Sequence, residues 1–150
     1  MSAERPGAVL FACSFNSVRS PMAEAIARYV MGRRVYVQSA GARKGVLDPF
    51  AVAAMEEIGI DIARHRPRDF EELEDLEGFN FDLIVTLSPE AHHKALEFTR
   101  TMSVEVEYWP TLDPTIEQGS REQRLDAYRA VRDGLMRRIR ARFPQTAPTV

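Results

Sequence analysis

The sequence predicts an α/β fold: a single three-layer domain in which helices flank both faces of a four-stranded sheet. The run AVLFAC, residues 8–13, is continuously apolar and ends in a polar loop, as a strand buried on both faces does. Short apolar runs of this kind then alternate with segments of helical periodicity, which is typical of parallel strands joined by crossover helices. Since 150 residues, 45% of them hydrophobic, supply one core, we expect one domain over residues 1–150.

The first half of the chain predicts two strands and two helices. They are a strand at 8–13, a helix ending near Gly32, a strand at 34–41, and a helix at 48–60 that Gly59 stops. Ser20 is predicted as the N-cap of the first helix, with Pro21 at its first position. Residues 63–80 are polar and acidic, and they show no periodicity that would assign them to a helix or a strand.

The second half predicts two further strands and two helices. They are a strand at 81–87, a helix at 88–98 with Ser88 as its cap, a strand at 104–109, and a C-terminal amphipathic helix. Its apolar stripe is Leu125, Tyr128, Val131, Leu135 and Ile139. We expect this stripe to pack on the sheet and the arginines of this helix to face solvent. Residues 1–6 and 144–150 are predicted to be tails.

Composition excludes several classes of function. A formal net charge of −2 and a pI near 6.0 predict no affinity for nucleic acid or anionic membranes. The only cysteine cannot form an internal disulfide, and the three histidines lack the spacing of metal ligands, so we expect no metal and no cofactor. No apolar stretch approaches the roughly 18 residues of a membrane span, and the sequence predicts a cytoplasmic protein.

The polar loop after the first strand predicts an anion site. A buried parallel strand that turns directly into a helix places free N–H groups and a partial positive charge beside its last residue. The predicted oxyanion-binding residues are Ser14, Phe15, Asn16, Ser17, Val18, Arg19 and Ser20. Arg19 would add a bidentate contact, and Cys13 would lie beneath the anion as a thiolate, in line to act as a nucleophile.

A buried, unreactive cysteine is the alternative interpretation of Cys13, because free cysteine packs as a small hydrophobic residue. The spacing of six residues between Cys13 and Arg19 is weak support for chemistry when taken alone. The context favours the nucleophile, since a strand precedes the loop and a Ser-Pro helix start follows it.

Phosphoryl transfer to sulfur also needs an acid to protonate the leaving group, and Asp113 is the predicted acid. The carboxyl ends of parallel strands share one edge, so the loop after the fourth strand opens beside the cysteine loop. Asp48 belongs to a second Asp-Pro pair, but it precedes a predicted helix and is more simply its cap.

The stretch VLFACSFNSVRSPMAEAI resembles the signature of low-molecular-weight protein tyrosine phosphatases, C-x5-R-S near the N-terminus, and LDPT resembles their late Asp-Pro loop. Segments 38–41 and 55–70 resemble the family in order and spacing. The resemblance implies a parallel sheet in the order 2-1-3-4. It also implies these roles: nucleophile for Cys13, phosphate clamp for Arg19, loop stabiliser for Asn16, thiolate partner for Ser20 and general acid for Asp113.

The chain departs from that family at three places. Phe15 replaces a usual glycine, and a residue with a Cβ adopts glycine-only backbone angles at a cost. Val18 replaces a second cysteine that can protect the nucleophile as a disulfide. Thr115 and Ile116 stand where many members have aromatic residues that flank phosphotyrosine. Ser17 matches a hydroxyl residue of related phosphoarginine phosphatases, so the substrate class stays open.

Three functions are therefore compared. The first is a phosphomonoester hydrolase that acts through a cysteinyl-phosphate on a phosphorylated protein or a small phosphomonoester and releases inorganic phosphate. The second is an arsenate reductase that borrows an external thiol. The third is a catalytically silent regulator that binds an oxyanion, which Phe15 would favour and the intact Cys13, Arg19 and Asp113 oppose. The sequence predicts no oligomeric state.

Overall fold

A computed structural model of the protein describes residues 6–144. Its strands are β1 (Ala8–Cys13), β2 (Tyr36–Gly41), β3 (Leu83–Thr86) and β4 (Glu105–Tyr108). Its α-helices are α1 (Arg19–Met31), α2 (Pro49–Glu56), α3 (Phe70–Glu77), α4 (Pro89–Phe98) and α5 (Arg121–Arg142), with short 3-10 turns at Gly32–Arg34 and Pro114–Ile116. Every strand and helix that was predicted is present.

The four strands form one parallel sheet in the order β2-β1-β3-β4, which confirms the topology that the family resemblance implies. Cys13 pairs with Gly41, and Thr86 pairs with Tyr108. Because all strands run in one direction, the cysteine loop and the loop after β4 leave the sheet at the same edge.

Hydrophobic side chains cover both faces of the sheet. On one face, Val9, Phe11 and Val85 pack in a core with α1, α2 and α5. On the other face, Leu10 and Ile84 pack with residues of α3 and α4. The alternation along β1 therefore serves two cores, which explains why its whole run is apolar. The three-layer α/β fold is confirmed.

The predicted apolar stripe of α5 is buried at all five positions: Leu125, Tyr128, Val131, Leu135 and Ile139. The prediction that the arginines of this helix face solvent is wrong for Arg132. Arg132 is buried, and its Nη1 donates to the carbonyl of Ala54 and to Glu57 Oε1, both at 2.8 Å. Arg129, which like Arg132 lies on α5, also binds Glu57, at 2.6 Å. These contacts tie α5 to α2.

The predicted cap of α1 is also wrong. Val18 occupies the N-cap position of α1 and makes no side-chain cap bond, while the Ser20 hydroxyl contacts Cys13. The Ser20 hydroxyl, which the sequence pattern predicted to cap α1, instead contacts the Cys13 sulfur in the folded protein.

Other boundaries differ by a few residues. The helix predicted at 48–60 ends at Glu56, and Gly59, with φ 79°, lies in the turn after it. Part of the unassigned segment 63–80 forms α3, capped by Asp69. Of the predicted tails, residues 6 and 144 have no regular structure, and the rest lie outside the described residues. Within residues 6–144, no helix is both long and apolar enough to cross a bilayer.

Gly134 lies inside α5, where a methyl group would meet only the Arg137 side chain, at 3.8 Å. We therefore expect Gly134→Ala to raise the free energy of unfolding by about 0.5–1 kcal/mol, because glycine loses more backbone entropy in a helix than alanine. Urea denaturation measures this. The control is Gly119→Ala, which must destabilise because Gly119 has φ 130° and faces the Gln123 side chain. A Gly134→Ala variant no more stable than wild type contradicts the expectation.

Candidate active site

Cys13 ends β1 and is buried beneath the loop that leads into α1. Its Sγ lies 2.9 Å from Ser20 Oγ, and it also accepts a longer contact, 3.4 Å, from the Ser20 N–H. The sulfur thus lies beside both the Ser20 hydroxyl and the N-terminal end of α1. The sulfur is therefore placed where the sequence predicted a nucleophile.

The carbonyls of the cysteine loop are bound by the segment that follows β2. The amides of Ala42, Arg43, Gly45 and Asp48 donate to the carbonyls of Cys13, Ser14, Phe15 and Ser17 at 2.8–3.2 Å. The amides of residues 14–18, in contrast, have no hydrogen-bond partner within residues 6–144. A loop with bound carbonyls and free amides is a nest for an anion.

This backing segment needs glycine where it touches the loop. A Cβ on Gly41 would lie 2.8 Å from both the Asn16 nitrogen and the Phe15 carbonyl carbon. A Cβ on Gly45 would lie 3.0 Å from the Phe15 Cβ. Both are closer than real side chains pack, so these glycines allow the two backbones to approach to hydrogen-bonding distance.

Asn16 holds the shape of the loop. With φ 56°, it is the one non-glycine residue of the described chain in the left-handed region, and its side chain is fully buried. Its Nδ2 donates to Ser20 Oγ at 2.8 Å and to Ser39 Oγ at 3.0 Å. Its Oδ1 accepts from the Arg68 N–H at 3.0 Å and lies 2.9 Å from His65 Nε2. Four contacts thus stabilise a conformation that would otherwise be strained.

A buried carboxylate supports this network from below. Glu24 on α1 accepts a hydrogen bond from the Ser39 hydroxyl and pairs with Arg28 at 2.6 Å. Arg28 in turn donates to the carbonyl of Val37 at 2.6 Å. Because a buried carboxylate without partners is costly, Glu24 fixes the orientation of Ser39, and Ser39 fixes Asn16.

Arg19 connects the cysteine loop to the loop after β4. It is 8% exposed, and its Nη1 donates to the carbonyl of Thr111 at 2.9 Å. One hydrogen bond therefore holds the guanidinium, and Arg19 also lines the cavity at Cys13, where a guanidinium can bind two oxygens of an oxyanion.

Asp113 reaches the same cavity from the loop after β4. Its Oδ1 accepts from the Thr115 N–H at 3.0 Å and from the Thr115 hydroxyl at 2.7 Å. Its Oδ2 has no hydrogen-bond partner within residues 6–144. The cavity, of about 60 Å³, is lined by Cys13, Phe15, Ser17, Val18, Arg19, Asp113 and Thr115. One oxygen of Asp113 is held and the other is available to a substrate.

The two Asp-Pro pairs are distinguished by their second carboxylate oxygen. Asp48 caps α2 through Oδ1, which accepts from the Phe50 N–H at 2.8 Å, and its Oδ2 accepts from the Tyr128 hydroxyl at 2.6 Å. Burial and Asp48 raise the pKa of Tyr128, so its hydroxyl stays protonated and donates. Both oxygens of Asp48 are thus occupied, whereas Asp113 has one free.

Phe15 does not adopt the glycine-only angles that its position in the family pattern suggests, since among the described residues only Asn16 and four glycines have positive φ. Its ring is 43% exposed, and the Arg43 guanidinium lies 4.8 Å from its centroid. Phe15 therefore forms an apolar wall at the mouth of the cavity without straining the loop.

The structure brings all the predicted site residues together around one loop. Ser14 and Ser17 also belong to it: the Ser14 hydroxyl donates to Ser88 Oγ at 3.0 Å, and the Ser17 hydroxyl donates to the Phe15 carbonyl at 3.3 Å. The sequence assigned no supporting role to the residues that hold them: Glu24, Ser39, His65, Arg68, Thr111 and Thr115. The available signal was the family resemblance of segments 38–41 and 55–70, which contain Ser39, His65 and Arg68.

Comparison with known proteins identifies the family. A model of the low molecular weight phosphotyrosine protein phosphatases matches residues 8–145. The chain belongs to this family. An arsenate reductase of Bacillus subtilis (strain 168) is 36% identical over 132 residues, which are 88% of this chain and 91% of that protein.

Solved structures agree with this assignment. An arsenate reductase in a phosphate-binding state is 29% identical, with a TM-score of 0.67 over 89% of this chain and 94% of that one. The YwlE arginine phosphatase is 26% identical, with a TM-score of 0.70 over 89% and 91% of the two chains. The family therefore includes relatives named for two different chemistries.

His65 predicts a pH dependence of stability. Burial lowers the pKa of His65 from its ordinary value of 6.5; the Glu24 carboxylate opposes this shift and Arg68 adds to it. The unfolded chain therefore binds a proton that the folded protein does not, so the free energy of unfolding falls as the pH is lowered below about 6.5 and is unaffected above it.

Urea denaturation between pH 7.5 and 5 measures this effect. We expect His65→Gln, which keeps an N–H for Asn16, to lose less stability over this range than the wild type. His93→Gln is the matched control, because the His93 side chain is 79% exposed and should leave the wild-type slope unchanged. Equal slopes for wild type and His65→Gln would show that His65 does not cause the loss.

Proposed function

We propose that this protein is a phosphomonoester hydrolase that works through a cysteinyl-phosphate intermediate. The observation that carries the proposal is that free loop amides, the Cys13 sulfur, the Arg19 guanidinium and the free oxygen of Asp113 meet in one small cavity. A mutant of the related YwlE arginine phosphatase, with a serine in place of cysteine, has a phosphorylated active-site serine, which supports such an intermediate.

In the first step, the Cys13 thiolate attacks phosphorus and the bond between phosphorus and the leaving oxygen breaks. Protonated Asp113 gives its proton to the leaving oxygen through the Oδ2 atom that the protein leaves free. The amides of residues 14–18 and Arg19 bind the three non-bridging oxygens, whose charge is largest in the transition state. The products of this step are an alcohol or phenol and cysteinyl-phosphate.

In the second step, Asp113 is a carboxylate and removes a proton from a water molecule. The water oxygen attacks phosphorus, the sulfur–phosphorus bond breaks, and inorganic phosphate leaves with the Cys13 thiolate restored. No second cysteine is present to protect this thiolate as a disulfide. A reducing compartment such as the cytoplasm is therefore part of the proposal.

The cavity mouth supports a phosphorylated protein or a small phosphomonoester as substrate. Phe15 offers an apolar wall, and Ser17 makes the loop rim polar. The aromatic pair that flanks phosphotyrosine in many relatives is replaced by Thr115 and Ile116, and Thr115 is engaged in holding Asp113. The proposed site therefore has more contacts for the phosphoryl group of a substrate than for its leaving group.

Two substitutions test the proposal. Cys13→Ser should abolish phosphatase turnover, because a serine hydroxyl is a far weaker nucleophile at neutral pH. Asp113→Asn should lower kcat/KM, which reports the first step, by about 10²–10⁴-fold, the usual contribution of a general acid. Phenyl phosphate should show a larger loss than p-nitrophenyl phosphate, since phenol is the poorer leaving group and needs protonation more.

Asp48→Asn is the matched control, since it changes the other Asp-Pro pair. It should lower the melting temperature by loosening the Tyr128 contact but keep the wild-type ratio of rates for the two phosphate esters. Turnover that survives in Cys13→Ser, or equal losses with both esters in Asp113→Asn, would contradict the assigned roles.

Arsenate reduction is a second candidate, because the relative at 36% identity is named arsenate reductase. Arsenate has the tetrahedral shape of phosphate and fits the same loop. In this reaction Cys13 attacks arsenic, and two electrons must then come from thiols. Cys13 is the only cysteine, so an external thiol has to release arsenite and end, with a second thiol, as a disulfide.

A coupled assay distinguishes the two candidates. Wild-type protein is given arsenate with glutathione, mycothiol or thioredoxin, and arsenite is measured beside phosphate release from p-nitrophenyl phosphate. For the hydrolase we expect phosphate release in every condition and no arsenite above the thiol-only control. Thiol-dependent arsenite without phosphatase turnover would favour the reductase. Neither product, together with measurable vanadate binding, would indicate the silent oxyanion-binding regulator.

A further inference from the structure

A second cavity lies between α5 and the loop that carries Asp113. Its volume is about 380 Å³, against about 60 Å³ for the cavity at Cys13. One wall is the loop from Trp109 to Glu117, and the other is one face of α5 from Ala127 to Arg138. Cavities of this size and apolar character are typical of sites for small molecules. We call this cavity the α5 groove.

Small residues of α5 create the groove. Ala127, Ala130 and Gly134 occupy successive turns of the helix face, and no side chain of the described loop fills the space above them. Leu112 and Ile116 form the opposite rim, and they are 83% and 73% exposed. Large apolar side chains so exposed beside an apolar cavity indicate that a ligand completes the packing.

One end of the groove is cationic. The Arg138 guanidinium lies over the Trp109 ring, 5.0 Å from its centroid, at a cation–π distance. Within residues 6–144, Arg138 has no hydrogen bond and no carboxylate partner. The indole N–H donates to Glu107, which also pairs with Arg142, so that carboxylate is already neutralised. The N–H groups of the Arg138 guanidinium are therefore available to bind an anion, and the two oxygens of a carboxylate match their geometry.

The other end of the groove does not favour an anion. Glu117 lines that end and lies four residues before the start of α5. Arg138 lies far along α5, seventeen residues after its start. The two charges are thus at opposite ends of the groove. A ligand with a carboxylate at one end and an apolar body would place the carboxylate at Arg138 and its body over Ala130 and Gly134.

We propose that the α5 groove binds a small amphiphilic carboxylate, with an aryl or alkyl body and a carboxylate held by Arg138. Asp113 lines both the α5 groove and the cavity at Cys13, whereas Cys13 lines only the latter. Binding of this ligand requires no turnover, so the inference does not rest on the proposed function.

Trp109 is the only tryptophan of the chain and lines the groove, so its fluorescence reports binding directly. The probe is 4-phenylbutyrate, and 4-phenylbutanamide is its uncharged control. We expect a saturable change of Trp109 emission with the carboxylate and about tenfold weaker binding of the amide, the loss of one charge-assisted contact.

Three variants locate the ligand. Arg138→Gln should weaken the carboxylate about tenfold and leave the amide within about twofold, since only the charged contact is lost. Arg137→Gln removes the same charge from the neighbouring position, which does not line the groove, and should bind as wild type does. Gly134→Leu places a side chain into the groove and should block both probes, while the geometry of Gly134 allows the helix to form.

No saturable emission change up to 10 mM probe would overturn the proposal, provided that circular dichroism shows folded protein. Equal affinity for the carboxylate and the amide would overturn the assigned ligand class. Unchanged binding to Gly134→Leu would show that the probe binds elsewhere. None of these outcomes depends on turnover, so failure of the groove site and failure of the hydrolase proposal are distinguishable.

Discussion

The site depends on the hydrogen bonds that hold the carbonyls of the cysteine loop from outside. Four amides of the segment 42–48 bind four loop carbonyls, so the peptide units of the loop turn their N–H groups inward. A bound oxyanion then meets donors that are already oriented, and no reorganisation is needed during the reaction. The two glycines, Gly41 and Gly45, follow from this constraint, because any side chain there would separate the two backbones.

Asn16 is the point at which loop shape and protein core are joined. Its left-handed backbone is held by Ser20, Ser39, Arg68 and His65, and Ser20 also contacts the Cys13 sulfur. The same hydroxyl therefore links the conformation of the loop to the Cys13 sulfur. Because Glu24 orients Ser39 from the core, a change several contacts from the sulfur can alter the site without touching it.

Much of this arrangement could be predicted because its signals are local in the sequence. The apolar run of β1, the loop after it and the helix start are contiguous, and Asp113 follows from the common edge of parallel strands. Ser20 shows the limit: the pattern assigns its hydroxyl to a helix cap, but a contact with Cys13 takes it. Arg132 shows the same limit, since only the tertiary structure supplies the Ala54 carbonyl and Glu57 that allow an arginine to be buried.

The geometry of the loop does not by itself separate phosphate from arsenate, since both are tetrahedral anions that the same amides and Arg19 would bind. The difference lies in the second step. Hydrolysis needs a carboxylate to activate water, and Asp113, the proposed acid, has one oxygen without a hydrogen-bond partner in the described residues. Reduction needs a thiol to reach Cys13, which is 2% exposed. The two chemistries therefore differ in what must approach the buried sulfur after the first step, a water molecule in hydrolysis and a thiol-bearing molecule in reduction.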